Sequence, residues 1–514
     1  MNEQEIKKQF SRKIRGKKRL AICGGSIGRE NRILIQGQVV DAGIREPFNV
    51  DSLLDFLTGL FNGEEDFITP FLDFSLAPVR KPFLKIQILR ETELIYESDI
   101  FSGSRDGFFN FDSQLKLEPG LYFYQVVFQG SDSYRQQTRD LNFITNFRES
   151  RINNYTVIGM GRLTVLPSDY TGYITTSDID QTYLATDLET KGGKLATLFE
   201  TPEQKLPIPG MPELYKEMKL HTNNSPLSFI SASPHFFRRS LAATIRKDGI
   251  EMDSLNLKYL NGTLQNVMDK AINSIFNLDD LFRDGFAPAL NRMKKFWNSS
   301  YLSLFDQLTY KLSTLLHNRL YQPTRAKEIL MGDNTESDYL IFTLYQLILM
   351  DLISGKELED YLYNLHFLGR NAVTRDNAIK IKKLASECLA IHGKMNPVEV
   401  VLINMSHMGP VTEEMTDHLD KALPIGINIH HLENFKLYHT TEGALGFAVI
   451  LHAKNIIPFE SMINVATSML GKWFNGQVID EKYLLSLCRN LSVPDYAEGT
   501  KHLLRDVVET ALQS

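Results

Sequence analysis

The sequence predicts a multidomain protein of the α+β and α/β classes: an N-terminal β-sandwich, a central domain built on a largely parallel sheet, and a C-terminal helical domain. Three observations predict it. The chain has 514 residues, and at about 100–200 residues per domain that length favours three units over one. Its apolar periodicity is mostly two from Arg32 to about Pro167, then switches to short apolar runs alternating with helical segments. From Gly355 onward only helical spacing is legible. The expected boundaries are a basic arm over 1–19, the β-region over 20–166, the α/β region over 167–354 with a helical insertion at about 248–305, and the helical region over 355–514.

The elements follow in order. In the arm, Lys7, Lys8, Arg12, Lys13, Arg15, Lys17, Lys18 and Arg19 oppose only Glu3 and Glu5, a polybasic pattern suited to anionic lipid headgroups and also to a solvated tail. The Gly24–Gly28 run lacks the Lys-Ser/Thr pair of a phosphate-binding loop and reads as a turn. Strands are expected at Ile33–Ile35 leading to Val39–Val40, Phe83–Leu89, Glu93–Tyr96, Gly107–Phe109, Leu121–Phe128 and Tyr155–Leu166, separated by Gly, Pro and Asp turns. Leu117-Glu118-Pro119-Gly120 is a turn feeding an aromatic-rich strand.

Beyond Pro167, Tyr173–Thr175, Leu227–Ile230 and Ile329–Met331 are strand candidates, and Met211–Leu220 is a helix between them. Leu264, Val267, Met268, Ala271 and Ile275 give the insertion its helical spacing. In the last region Leu358, Tyr361, Leu362 and Leu365, then Tyr483, Leu484, Leu487 and Leu491, do the same.

Composition narrows the function classes. With 43% hydrophobic and 23% charged residues the chain is of the ordinary globular kind. Lys+Arg 56 against Asp+Glu 62 leaves a net charge of -6, which excludes a surface built throughout for nucleic acid. Cys23, Cys388 and Cys488 form no metal-binding spacing, and with no apolar stretch after the first charges the expected location is the cytoplasm, with peripheral membrane contact through the arm. Tyr339–Met350, broken by Thr343 and Gln346, is too short for a membrane span and reads as a buried helix. His430, His431 and His439 have no companion carboxylate or thiolate spacing and read as ordinary histidines.

Each α/β strand candidate ends in a polar set, where ligands of open parallel sheets bind. The first gives Ser177-Asp178-Ile179-Asp180-Gln181-Thr182: two carboxylates that can converge on one site, one to attack phosphorus and the other to protonate the leaving oxygen. The second ends Ser231-Ala232-Ser233, with hydroxyls for phosphoryl oxygens. A helix starting near Lys311 precedes the third, which runs into Gly332-Asp333 and on to Asp338, an acidic strand end suited to Mg²⁺.

In that order, DxDxT, strand-end Ser, Lys and GDxxxxD, the elements resemble the haloacid dehalogenase (HAD) phosphohydrolase superfamily. With Pro209-Gly210-Met211-Pro212-Glu213-Leu214-Tyr215, they look like the catalytic domain of the actin-patch-protein type of Mg²⁺-dependent phosphatidate phosphatase, over about Leu166 to Met350. The resemblance implies a HAD-like Rossmannoid sheet, with Asp178 as nucleophile and Asp180 as general acid/base. It implies Ser231 and Lys311 as phosphate ligands and Thr182 as support for the loop, with Mg²⁺ among Asp178, Asp180, Asp333 and Asp338. A lipid phosphate is the implied substrate. Gln181 stands where the family usually has an acidic residue, Leu257-Lys258 replaces its Leu-Arg, and the stretch from Asn261 to Tyr301 is longer than its usual connection. A HAD phosphatase for a soluble phosphate ester or a phosphoprotein is the alternative, and a non-catalytic scaffold the second. Clustered carboxylates at Asp178, Asp180 and Asp333 argue against the scaffold, because their mutual repulsion has no use in a binding module.

Overall fold

The computed structural model describes residues 19–41, 77–131, 156–185, 205–234, 238–258, 307–367, 370–371, 373–407, 409–424, 426–429, 432, 435–491 and 498–513. The arm before Arg19, the insertion from residue 259 to 306, and His430 and His431 lie outside them.

The first ten strands are β1 (Arg19–Cys23), β2 (Ser26–Arg29), β3 (Ile33–Asp41), β4 (Ala77–Pro78), β5 (Pro82–Arg90), β6 (Glu93–Glu97), β7 (Phe101–Ser102), β8 (Phe108–Ser113), β9 (Gly120–Ser131) and β10 (Thr156–Leu166). In one sheet β3 pairs with β1, β4 and β8; the other runs β2-β10-β9-β5-β6, with β7 on β5. Ile33 and Ile35 of the first sheet share a core with Leu84, Ile86, Ile88 and Tyr124 of the second. The alternation in β5 shows why: Leu84, Ile86 and Ile88 point inward, while Lys85 and Gln87 on the other face each reach Glu97 at 2.6 Å. The Leu117–Gly120 turn is pinned by the Tyr122 hydroxyl, which donates to the Glu118 carbonyl at 2.9 Å. The Gly24–Gly28 run departs from expectation, since only Gly24 and Gly25 turn and Ser26 begins β2.

The central sheet is six-stranded and wholly parallel, in the order β13-β12-β11-β14-β17-β18. Its strands are β11 (Tyr173–Ser177), β12 (Leu227–Pro234), β13 (Ser254–Lys258), β14 (Lys327–Asp333), β17 (Val398–Asn404) and β18 (Tyr438–Thr440). Two small antiparallel hairpins, β15 (His366–Phe367) with β16 (Arg370–Asn371) and β19 (Trp473–Phe474) with β20 (Gln477–Val478), stand apart from it.

Helices cover both faces. On one side are α1 (Met211–His221), α2 (Arg238–Lys247), α8 (Ala444–Ala453), α9 (Phe459–Met469), α10 (Glu481–Arg489) and α11 (Glu498–Gln513). On the other are α3 (Gln307–Arg319), α4 (Asp338–Leu349), α5 (Gly355–Asn364), α6 (Arg375–His392) and α7 (Thr412–Ala422). Successive strand residues feed opposite cores: Ile329, Met331, Val400 and Leu402 face the first helical layer, and Leu330, Val401 and Ile403 the second. Helix α4 is buried along its whole length, and no described helix is long and apolar enough to cross a membrane.

Two expectations are corrected here. Residues 355–514 are not purely helical, because β17 and β18 extend the central sheet beyond β14. A strand buried on both faces carries no alternation, so Val400-Val401-Leu402-Ile403 is a continuous apolar run with no strand signature. The stretch from 248 also does not begin as helix, since Ser254–Lys258 is the edge strand β13. The two-sheet N-terminal region docks on that edge. Leu255 N–H donates to the Gly24 carbonyl at 2.7 Å, and Asp253 takes Arg162 at 3.0 Å and the Thr164 hydroxyl at 2.7 Å. Gly25 (φ +76°) is needed at the crossing, since a Cβ there would fall 2.1 Å from the Asp253 carbonyl oxygen.

Candidate active site

Of the predicted site residues, Asp178, Asp180 and Thr182 lie just beyond β11, Ser231 in the carboxyl half of β12, Asp333 at the end of β14, and Lys311 and Asp338 on helices beside the sheet. Asp178 follows β11, the third strand of six, and its N–H donates to the Met331 carbonyl of β14 at 2.8 Å. Its side chain is buried, with Lys311 Nζ 2.8 Å from Oδ1 and no hydrogen-bond partner for Oδ2. Lys311 rises from α3 into the interior and is completely buried. The same Nζ lies 2.6 Å from Asp338 Oδ1 and 3.2 Å from Glu336 Oε2. One ammonium thus faces three carboxylates. Arg319 on the same helix is also buried but serves elsewhere, pairing with Glu328 at 3.3 Å.

Asp333 closes β14. Its Oδ1 accepts from the Thr335 N–H at 2.5 Å, the Thr335 hydroxyl and the Glu336 N–H, while its buried Oδ2 has no hydrogen-bond partner. The turn through Thr335 and Glu336 brings Asp338 back over Gly332 at the start of α4. A Cβ at Gly332 would lie 2.6 Å from Asp338 Oδ2, so the glycine makes room for that carboxylate.

Asp180 sits on another side of the loop, where Oδ2 accepts from the Ser231 hydroxyl at 3.3 Å and the Ser233 hydroxyl at 3.1 Å. Gln181 follows in a left-handed conformation (φ +56°), which lets its N–H donate to the Leu184 carbonyl at 2.8 Å and close the loop. Thr182 is buried beneath it, its hydroxyl without a hydrogen-bond partner. Ser177 Oγ meets the Tyr215 hydroxyl at 2.6 Å, which ties the base of this loop to α1.

Burial dominates the electrostatics. It pushes the Asp178 carboxyl well above the ordinary range, against the pull of Lys311 and with the repulsion of Asp338, Glu336 and Asp333 added. Asp333 is raised by burial and by Asp338 and Glu336, and Asp338 by burial against Lys311. Asp180 is raised by burial and Glu336, with the Lys205 charge and the Ser233 hydrogen bond opposing. For Lys311 burial acts the other way, but Asp178, Asp338, Glu336 and Asp333 outweigh it and hold it protonated.

A hard cation fits this surplus of negative charge. Among the described residues, Asp178, Glu336 and Asp338 form a group whose ligand oxygens lie within 4.8 Å of one another. The donors are all oxygen, and buried oxygens on Asp178, Asp333 and Asp338 lack hydrogen-bond partners. The group differs from the predicted ligand set in gaining Glu336 and in leaving Asp180 and Asp333 outside. No such group among the described residues includes His439.

The sequence reading gave no individual role to Glu336 or the buried Lys205, and offered Ser233 only together with Ser231 as a source of hydroxyls for phosphoryl oxygens. Glu336 lies three residues after Asp333 in the same acidic run, and Ser233 two after Ser231, so spacing alone offered both. Lys205 has no motif to mark it.

Acids gathered around a buried lysine at the carboxyl end of a parallel sheet define an enzyme site of the phosphoryl-handling class. The comparison with known families agrees: residues 173–284 match the family model of the phosphatidate phosphatase APP1 catalytic domain. This supports the family resemblance carried by the motifs and makes the protein a phosphatase. Asp178, Asp180 and Ser231 lie within the matched residues; Lys311, Glu336 and Asp338 lie beyond them. No curated protein matches the chain.

Proposed function

We propose that the protein is an Mg²⁺-dependent phosphomonoesterase of the HAD type, acting on phosphatidate or a related lipid phosphate through an aspartyl-phosphate at Asp178. The observation that carries this is the Asp178 carboxylate, inside the matched segment, with one oxygen beside Lys311 Nζ at 2.8 Å and the other without a hydrogen-bond partner.

The Asp178 oxygen attacks phosphorus as the bond to the leaving oxygen breaks, and Asp180 donates its proton to that oxygen, releasing the alcohol. The raised position of Asp180 suits it to hold this proton. Asp180, now ionised, takes a proton from the water that attacks phosphorus in the second half, which releases phosphate and restores Asp178. Lys311 and the Ser231 hydroxyl hold phosphoryl oxygens and offset the repulsion between carboxylate and phosphate. Asp178, Glu336 and Asp338, with Asp333 alongside, would hold Mg²⁺, which would further neutralise the phosphoryl charge. The basic stretch 1–19 is the part of the chain we assign to peripheral contact with an anionic membrane, on the cytoplasmic side.

The test is a substrate panel of phosphatidate, lysophosphatidate, sugar phosphates and phosphopeptides, with and without Mg²⁺, using wild type and Asp178→Asn. Turnover of the lipid phosphates alone, dependent on Mg²⁺ and absent in Asp178→Asn, is expected. Preference for a soluble ester shifts the substrate class, and near-normal rates in the variant refute the nucleophile.

A further inference from the structure

We infer that Asn404 is a positioning residue for Asp180, acting through the main chain of Gln181; the inference rests on the phosphatase reading above. Asn404 is the last residue of β17, more than two hundred positions from the loop it touches, and outside the segment that matches the family model. Its Nδ2 donates to the Gln181 carbonyl oxygen at 2.7 Å, with both residues buried. A second contact runs the same way, from the Ser406 hydroxyl to Gln181 Oε1 at 3.4 Å.

The loop needs such an anchor. Gln181 is held left-handed, a conformation that a residue with a Cβ keeps only when its surroundings fix it. Its N–H is fixed by Leu184 and its carbonyl by Asn404. Asp180 is the residue immediately before, so a displacement of the Gln181 main chain, released from these bonds, would carry its carboxylate away from Ser231 and Ser233. Asn404 is itself held in place: its strand pairs with β14 so that Asn404 stands opposite Asp333. Its carbonyl also accepts the Asn334 N–H at 3.2 Å. Strand β17 therefore sets the acid/base loop and the end of β14 relative to one another.

The test uses the full chain with Asn404→Leu, close in shape but with no polar atom to donate, and Asn404→Ala. Because the defect is expected at proton donation, kcat on an alkyl phosphate should fall about 10–100-fold, and on nitrophenyl phosphate less than about threefold, with KM little changed. In an Asp180→Asn background, Asn404→Ala should add almost nothing on the alkyl phosphate. Hydrogen exchange gives a reading that needs no turnover: amides of the 178–185 loop should exchange faster in both variants while those of β11 keep their protection. Equal losses on the two substrates, full additivity with Asp180→Asn, or unchanged exchange in the loop would overturn the proposal. Failure of the wild type on every phosphate ester would count against the phosphatase reading alone, and the exchange measurement would still decide the role of Asn404 in holding the loop.

Discussion

Replacing Lys311 by methionine removes the one cation among the described residues that pairs with Asp178, Asp338 and Glu336 while keeping a side chain of similar length. Taking one partner from a buried ion pair costs about 3–5 kcal/mol, because the remaining charge is left uncompensated. At about 2–4 °C per kcal/mol for a unit of 150–250 residues, metal-free protein should melt about 6–20 °C lower near neutral pH. The pH dependence follows from the carboxyls. Burial raises Asp178 and Asp338 above their unfolded range, with Lys311 opposing, so its loss raises them further. Groups raised on folding favour the native state at low pH and lose that contribution as pH climbs through their folded values. The gap to wild type should therefore be widest at alkaline pH and close as the pH falls. Thermal melts in chelator across a pH series measure it. A variant that melts with wild type at the alkaline end, or a gap that widens on acidification, would refute the reasoning.

Other expectations are more local. Asp180→Asn should slow alkyl phosphate cleavage by about two to four decades, with partial rescue by a nitrophenyl leaving group, read from kcat on both substrates. Asp333→Ala should raise the Mg²⁺ concentration for half-maximal activity, so that a metal titration recovers part of the rate. Gly332→Ala places a methyl 2.6 Å from Asp338 Oδ2 and 2.8 Å from Phe342 Cε2; it should cost about 1–3 kcal/mol in denaturant melts and much of the activity.

The residues of the site were legible in the sequence to the extent that chemistry and strand ends coincide in it. Asp178, Asp180, Asp333 and Asp338 each sit at a strand end or in the loop or helix that follows, and Ser231 in the carboxyl half of β12, so a short apolar run leading into polar residues marks them. Lys311 was found only by order along the chain, because a lysine on an amphipathic helix has no local sign of its complete burial. Glu336 was visible but undistinguished, its role depending on how the turn after Asp333 folds back towards Lys311. Asn404 was not visible. Its strand is apolar on both faces and its partner is Gln181, so neither periodicity nor spacing connects them. The N-terminal strands were the most readable part, since one inward face per strand leaves the alternation of β5 intact.

The placement of β17 and β18 bears on which pieces of this gene product are usable as reagents. An expression fragment cut after α4 would retain Asp178, Asp180 and Lys311, and would still carry a wound: β14 would become an unpaired, apolar sheet edge, open to pairing with other copies. It would also strip α8 and α9 from Leu214, Met218 and Ile329, which share their core. A catalytic fragment trimmed to its motifs would therefore expose that edge and half of a shared core; one that keeps both covered has to run past Thr440 and through the helices that follow.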